Sequence, residues 1–277
     1  MSIDAVEKRS PLSRLGAFGK FFVLGLGVFL TLGPVVWTLI TALTPTDPVT
    51  NVTSFGLAAF ADVFAKIPVW LYTWNSALVT VIVALGQMLS AAMAGYVFAR
   101  FEFRSKKLLF GLILATMMVP MQVTIVPVFM LIRGMGLADT LLALIIPALP
   151  TAFGTFLMRQ YFMGLPPELA EAAEIDGAGP WKVFFSIYLP LATPGLAIVG
   201  ILAFNYHWNE FFRPLIMTIS EQNFTLPLGL VTLQGNLGTG SVSTVLAGVV
   251  ISMIPALLVF VFGQKPLREG LTAGAGK

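Results

Sequence analysis

The sequence predicts an all-α, polytopic membrane protein with six transmembrane helices and both termini cytoplasmic. Three observations carry that expectation. Of the 277 residues, 57% are hydrophobic and only 10% charged, with a mean hydropathy of +0.90, whereas soluble domains carry about 25% charged residues. The apolar residues fall into blocks of roughly 20, the length that crosses about 30 Å of hydrocarbon as a helix. In a six-span arrangement all of the 16 lysines and arginines except Lys66, Arg133 and Arg213 lie on one side, as cytoplasmic loops do under the positive-inside rule.

Taken in order, the expected spans are 21–43, 71–99, 108–132, 141–163, 194–218 and 245–262. The first is longer than the apolar region of a secretory leader, so it is expected to be retained. Pro120 and Pro127, in MMVPMQVTIVPVFM, should kink or break the third span, and Gln122 between them puts a polar side chain at depth. Such irregularity is tolerated only against protein or a water-filled cavity. The third span is therefore read as lining a pathway rather than as plain packing.

The side-chain inventory excludes several classes. Without cysteine there is no disulfide framework, thiolate nucleophile or Cys-based metal site, and a single histidine excludes a multi-His centre. The net charge of +3 comes from short clusters between apolar blocks, with no basic run interleaved with aromatics, so no nucleic-acid partner is expected. A secondary transporter would couple through intramembrane acids and often shows internal repeats. Here the acids cluster between spans four and five, and the two halves do not match.

That cluster, EAAEIDGAGPWKVFFSIYLP from Glu171 to Pro190, is the longest polar segment on the cation-rich side. Pro166 and Pro167 suit the first turn of a helix, Glu168 and Glu171 complement its positive end, and Gly177 fits the left-handed position that terminates it. Pro180 opens a second helix, in which Phe184, Ile187 and Leu191 recur at helical spacing and can face neighbouring membrane helices. Ala170, Ala172 and Ala173 keep the first helix thin, so that its backbone fits a groove, and Glu171 offers a carboxylate. An interfacial connector would show the same composition.

The order E-A-A, three residues, G, nine residues, I-x-L-P is matched by Glu171, Ala172, Ala173, Gly177, Ile187, Leu189 and Pro190. It resembles the coupling motif of binding-protein-dependent ABC importer permeases. WNEFFRPL (Trp208 to Leu215) and the tail GLTAGAGK (Gly270 to Lys277) resemble the second permease type of the carbohydrate-importer branch. The resemblance implies a cytoplasmic tail 1–20, a transmembrane permease domain 21–264 with its coupling loop at 165–193, and a cytoplasmic tail 265–277. It also implies that Glu171, Ala172, Ala173, Asp176 and Gly177 engage a cytoplasmic ATPase. The implied partners are a second permease, two ATPase subunits, an extracytoplasmic solute-binding protein and membrane lipid.

No phosphate loop is present: the tail comes near G-x-x-x-x-G-K-[ST], but Leu271 stands where the first glycine is required. The chain is therefore expected to be non-catalytic and to hold no cofactor, with ATP and Mg bound by the ATPase. The remaining polar concentration is FNYHWNEFFRPL, Phe204 to Leu215. Asn205, His207, Asn209, Glu210 and Arg213 are expensive in lipid and should face protein or water, with Glu210 and Arg213 spaced to pair. Together with Tyr206 and Trp208 they suit a sugar, aromatic faces against C–H surfaces and amides against hydroxyls. The same residues serve equally as interfacial anchors and packing glue. The candidate pathway residues are thus Asn205, His207, Trp208, Asn209, Glu210 and Gln122, with a glycerophosphate as the alternative solute. The polar segment after the fifth span, SEQNFTLPLGLVTLQGNLGTGS, suits contact with a binding protein or plain connection.

Overall fold

The computed structural model describes residues 11–46, 53–235 and 240–273, with side chains placed at 19–46, 53–235 and 240–264. Residues 1–10 of the expected N-terminal tail, 236–239 of the glycine-bearing segment and 274–277 of the C-terminal tail lie outside the described residues. Among the described residues there is no strand, and extended backbone pairs at an isolated bridge between Thr46 and Thr53.

The helices are α1 (Pro11–Leu43), α2 (Ala58–Lys66), α3 (Val69–Arg100), α4 (Lys106–Thr116), α5 (Met121–Gly134) and α6 (Leu141–Ile145). A tight 3-10 turn (Ile146–Ala148) leads to α7 (Ala152–Met163) and α8 (Glu168–Ile175). Then come α9 (Pro180–Val183), a π-helical turn (Phe184–Tyr188), α10 (Leu189–Leu191), α11 (Thr193–Trp208), α12 (Phe212–Met217), α13 (Leu226–Val231) and α14 (Val242–Ala273).

Four segments are long and apolar enough to cross a membrane: Gly19–Leu43, Val69–Arg100, Leu141–Met163 and Val242–Gln264. Up to six do so if two bent pairs each count as one span. The first bent pair falls on the third expected span; of the second, Thr193–Trp208 overlaps the fifth, while Pro180–Leu191 precedes it within the expected coupling loop. Between α4 and α5 the chain turns by 101°, because Pro120 takes extended backbone at the start of α5 and cannot continue the preceding helix. Pro127, by contrast, lies inside α5 without breaking it. The fifth span is not one helix over 194–218. The α9–α10 segment meets α11 at 73°, and the 16 residues of α11 reach about 24 Å at about 1.5 Å each. The chain then unwinds at Asn209–Phe211 before α12.

The long α3 is the axis of the packing and lies against α7 and α11, while α14 packs on α1, α2 and α11. Gly95 sets the spacing of α3 and α7. A Cβ there would stand 2.7 Å from Met158 Cβ and 2.8 Å from the Arg159 backbone nitrogen, so a hydrogen is what lets the backbones approach. Side-chain bonds tie specific ends together. At one end of α3, Asn75 donates to the carbonyls of Gln222 (2.8 Å) and Phe224 (3.0 Å), and Ser76 Oγ accepts from the Leu226 amide (2.7 Å). At the other end, Arg100 donates to the carbonyls of Phe162 and Leu165. The α8–α10 segment therefore sits at one end of the bundle and the 218–226 segment at the other, the alternation that the ordering of apolar blocks requires. The apolar window of α1 is wholly unburied, with Phe21, Phe29 and Trp37 among its exposed side chains.

Candidate functional site

Two constellations stand out, one at each functional level of the bundle. The first is the segment α8–α10. The acids Glu168 and Glu171 occupy the first turn of α8, where the helix dipole favours them. The helix ends as its sequence demands: Gly177 has φ +77°, its amide donates to Glu174 O (3.0 Å), and the Ala178 amide donates to Ala173 O (2.9 Å). This is a Schellman termination, with its left-handed residue where glycine has no steric penalty. Ala170, Ala173 and Ala178 pack against the core beneath, so Ala173 belongs to the inner face. The outer face carries Ala172 between Leu169 and Ile175, the latter 87% exposed, flanked by Glu168, Glu171, Glu174 and Asp176. Among the described residues none of these four carboxylates forms an ion pair within the chain.

What roots this segment is aromatic. Tyr96 of α3 lies 5.0 Å from the Phe184 ring, 5.2 Å from Tyr188 and 5.7 Å from Phe162. The Arg100 guanidinium stands 4.7 Å over the Tyr188 ring while donating to Phe162 O (2.7 Å) and Leu165 O (2.6 Å). One cation thus caps the end of α7 and holds the second helix of the segment by a cation–π contact. The π turn explains a difference from the helical spacing expected of Phe184, Ile187 and Leu191. With one residue extra in the turn, Val183, Phe184 and Tyr188 are the buried set, and Leu191 is exposed. Arg100 and Tyr96 escaped sequence reasoning, because a cation at a span end reads first as a topology signal.

The second constellation surrounds a cavity of ≈ 590 Å³ lined in part by Gln87, Asn205, Tyr206, His207 and Arg213 and by the break between α6 and α7. That break, at Pro147–Thr151, frees carbonyls at membrane depth, and side chains satisfy them as such irregular backbone requires. Gln87 Nε2 donates to Ala148 O (2.8 Å), Ser90 Oγ to Leu149 O (3.0 Å) and Arg213 Nη1 to Leu144 O (3.1 Å). Thr151 caps the restart by accepting from the Gly154 amide (3.1 Å). The bond to Ala148 O orients the Gln87 amide, and its second hydrogen then points to His207 Nε2 at 3.1 Å. His207 Nε2 is accordingly the acceptor, and Nδ1 carries the proton donated to Glu210 Oε2 at 2.8 Å. Glu210 Oε1 lies 3.0 Å from Arg213 Nε, the pair its spacing predicts.

The sequence candidates divide accordingly. Asn205 and His207 line the cavity, and Glu210 stands behind them as the carboxylate that both His207 and Arg213 use. Trp208 is buried, stacked on Phe204 and donating to Ser252 O (2.9 Å), which makes it a packing residue. Asn209 is exposed and bonds back to Asn205 O (2.8 Å). Gln122 is exposed and outside the cavity lining. Its neighbour Met121 is the residue of α5 that reaches the network, its sulfur 3.8 Å from Arg213 Nη2 and 3.9 Å from Tyr206 Oη. Gln87 was missed, although a lone glutamine in VTVIVALGQMLSAAMAGYVFAR is a readable signal.

Beyond α12, Asp139 closes the opposite end of the bundle. It has φ +59°, which an aspartate tolerates better than most residues. Its carboxylate accepts from the amides of Ile219 (2.8 Å) and Ser220 (2.9 Å) and from the Ser220 hydroxyl. Those bonds, the Ser220 hydroxyl foremost, hold its pKa down at about 2.

A family model described as "Binding-protein-dependent transport system inner membrane component" matches residues 88–265. The arabinooligosaccharides transport system permease protein AraQ of Halalkalibacterium halodurans is 36% identical over 208 residues, 75% of this chain and 74% of the relative. The lactose transport system permease protein LacG of Rhizobium radiobacter is 32% identical over 262 residues, 93% and 96% of the two chains. The sn-glycerol-3-phosphate transport system permease protein UgpE of Brucella abortus is 33% identical over 202 residues, 72% and 71%. The fold matches a chain in the crystal structure of a bacterial ABC transporter involved in the import of the acidic polysaccharide alginate. That match has a TM-score of 0.82 and 24% identity, covering 93% of this chain and 98% of the other.

Proposed function

The chain belongs to the family of binding-protein-dependent transport system inner membrane components, and on that premise we propose that it forms a solute pathway for a carbohydrate together with a second permease. ATP hydrolysis is assigned to two separate cytoplasmic ATPase subunits, which bind the ATP and Mg, and delivery to an extracytoplasmic binding protein. The observation that carries the reading is α8, a short acidic helix closed by Gly177. Among the described residues its carboxylates are unpaired, and its root is packed onto α3 and α7. A helix so built transmits the movement of whatever grips its outer face, and the contacts assigned to that partner are Glu171, Ala172, Asp176 and the turn at Gly177, with Ala173 bracing from behind.

Six crossings with cytoplasmic termini, tails at 1–20 and 265–277 and a coupling loop at 165–193 accompany this reading. The cation bias supports the orientation, and the exposed circumference of α1 suits lipid and the partner permease. In the pathway the cavity beside Asn205, Tyr206 and His207 is the place for the solute. Among the described residues Arg213 is its one cationic lining residue, and Glu210 already engages it, which favours a neutral sugar. A glycerophosphate is the second reading, on the strength of the UgpE likeness.

The deciding experiment melts the cognate binding protein against a panel of mono- and oligosaccharides and sn-glycerol 3-phosphate, then measures ATP-dependent uptake by the reconstituted complex. Stabilisation and uptake confined to sugars are expected. A response to glycerol 3-phosphate alone selects the second reading, and ATP hydrolysis by this chain in isolation would overturn the permease reading itself.

A further inference from the structure

At the end of the bundle that carries α8, a second cavity of ≈ 690 Å³ opens between α4 and α7. Its mouth is charged. Arg104, Lys106, Lys107 and Arg159 line it against a single carboxylate, Glu102, which Lys106 already engages at 2.7 Å. Arg159 is held in place by two contacts: Nε donates to Phe98 O at 3.1 Å, and the guanidinium lies 4.4 Å over the Phe110 ring. Among the described residues Arg104, Lys107 and the two Nη groups of Arg159 have no hydrogen-bond or ion-pair partner. The amides that begin α4 add positive potential at the same mouth.

The floor is apolar. Phe110, Gly111 and Leu114 line the same cavity, and from Lys106 to Leu114 it follows α4 for about 12 Å at about 1.5 Å per residue. No residue of α4 is buried. A Cβ built on Gly111 meets nothing within 4 Å, so the groove is open along that face.

We propose that this cavity binds an anionic phospholipid, its phosphate among Arg104, Lys107 and Arg159 and an acyl chain along Phe110, Gly111 and Leu114. Charge complementarity selects an anion, since among the described residues Arg104, Lys107 and the Nη groups of Arg159 have no anionic partner of their own. The depth selects a lipid over a soluble subunit, which meets the charged collar but does not extend two turns down an apolar span, whereas a phospholipid joins both chemistries in one molecule. The arginine held flat on Phe110 supplies a fixed fork for phosphate oxygens.

The test places the full chain in nanodiscs of phosphatidylcholine containing a minor fraction of phosphatidylglycerol and measures the lipid retained by native mass spectrometry. Retention of phosphatidylglycerol over phosphatidylcholine by about tenfold or more is expected. The double variant Arg104→Gln, Lys107→Gln should remove that preference, and Gly111→Leu should remove retention while leaving every charge in place. Equal retention of both lipids by the unaltered chain overturns the proposal, whatever the variants do. So does displacement of the lipid by millimolar inorganic phosphate with no effect of Gly111→Leu, which describes a bare anion site. Loss of ATPase binding by the double variant with unchanged lipid preference also overturns it, the collar then being a protein contact.

Discussion

The α8–α10 segment and the Gln87–His207–Glu210–Arg213 network use charge in opposite ways. The network pairs its charges within the chain: Glu210 lies between His207 and Arg213 at 2.8 and 3.0 Å, Gln87 donates to Ala148 O and Arg213 to Leu144 O beside the α6–α7 break, and a further Arg213 nitrogen faces the Met121 sulfur. The α8–α10 segment is open, its carboxylates unpaired among the described residues and its stability drawn from rings and alanines underneath. A buried charge left without a partner costs several kcal/mol, whereas an exposed one costs little. The difference teaches that the interior charges hold the broken helices together, and the surface charges are left to solvent among the described residues.

The contrast breaks first at Arg213. Arg213→Ala leaves Glu210 buried beside His207 without its cation and should destabilise the chain by about 3–5 kcal/mol, read as a lowered unfolding midpoint in detergent. Arg213→Lys should recover only part of that, since it loses the fork that reaches Glu210 and Leu144 O together. An unchanged midpoint for Arg213→Ala would mean that Glu210 does not depend on Arg213 for its cation.

Arg100→Ala should come next, at about 2 kcal/mol for charge-assisted bonds to two carbonyls and the contact with Tyr188. Its more telling readout is coupling: with α9–α10 released from α7, the reconstituted complex should hydrolyse more ATP per solute moved. A stability loss with unchanged stoichiometry would make Arg100 a cap and nothing more.

Gly177→Val forces a β-branched residue to φ +77° and should cost about 1–2 kcal/mol, with loss of solute-stimulated ATP hydrolysis. Gly177→Asn should be much milder. Near-normal stimulation in the valine variant would return the segment to the status of a connector.

Asp139 offers a smaller effect with a definite pH window. Its folded pKa of about 2 lies below the ordinary 3.8, so the clasp contributes fully above pH about 4 and is lost as pH falls toward 2. Protease sensitivity of the 218–226 segment should rise in that window, and Asp139→Asn should show part of the rise already at neutral pH. Sensitivity that begins well above pH 5 would assign the transition elsewhere.

The smallest effect on folding is expected from Glu171→Lys, within about 0.5 kcal/mol for an exposed site. Association with the ATPase should nevertheless weaken, and an opposite charge change on the ATPase should restore it. Failure of every such rescue would show that Glu171 acts without a charged partner.

How much of this was legible in the residues follows from which forces are local. The α8 termination was, because Glu168, Glu171 and Gly177 act through a dipole and a backbone angle confined to one short helix. The break at Pro120 was, since proline acts on its own turn, and so was the Glu210–Arg213 pair, three residues apart. The end of α11 at Trp208 was not, since nothing in TPGLAIVGILAFNYHWNEFF forbids a longer helix. It stops one residue after His207, whose partner Gln87 lies on α3. Gln87, 120 residues away from His207, belongs to the same limit, and so does the π turn, which places Tyr188 under an arginine of α3 that spacing alone cannot connect to it.

Consider α3 as a mechanical member. It runs unbroken from Asn75, bonded to the 222–226 segment, to Arg100, bonded to the end of α7 and stacked over Tyr188, about 37 Å by the helical rise. A rod of that length pivoted near Arg100 carries its far end by about 6 Å for a tilt of about 10°. Movements at the Arg100 end and at the Asn75 end are then two readings of a single angle, and spin labels at the two ends of α3 should report them with no lag between them.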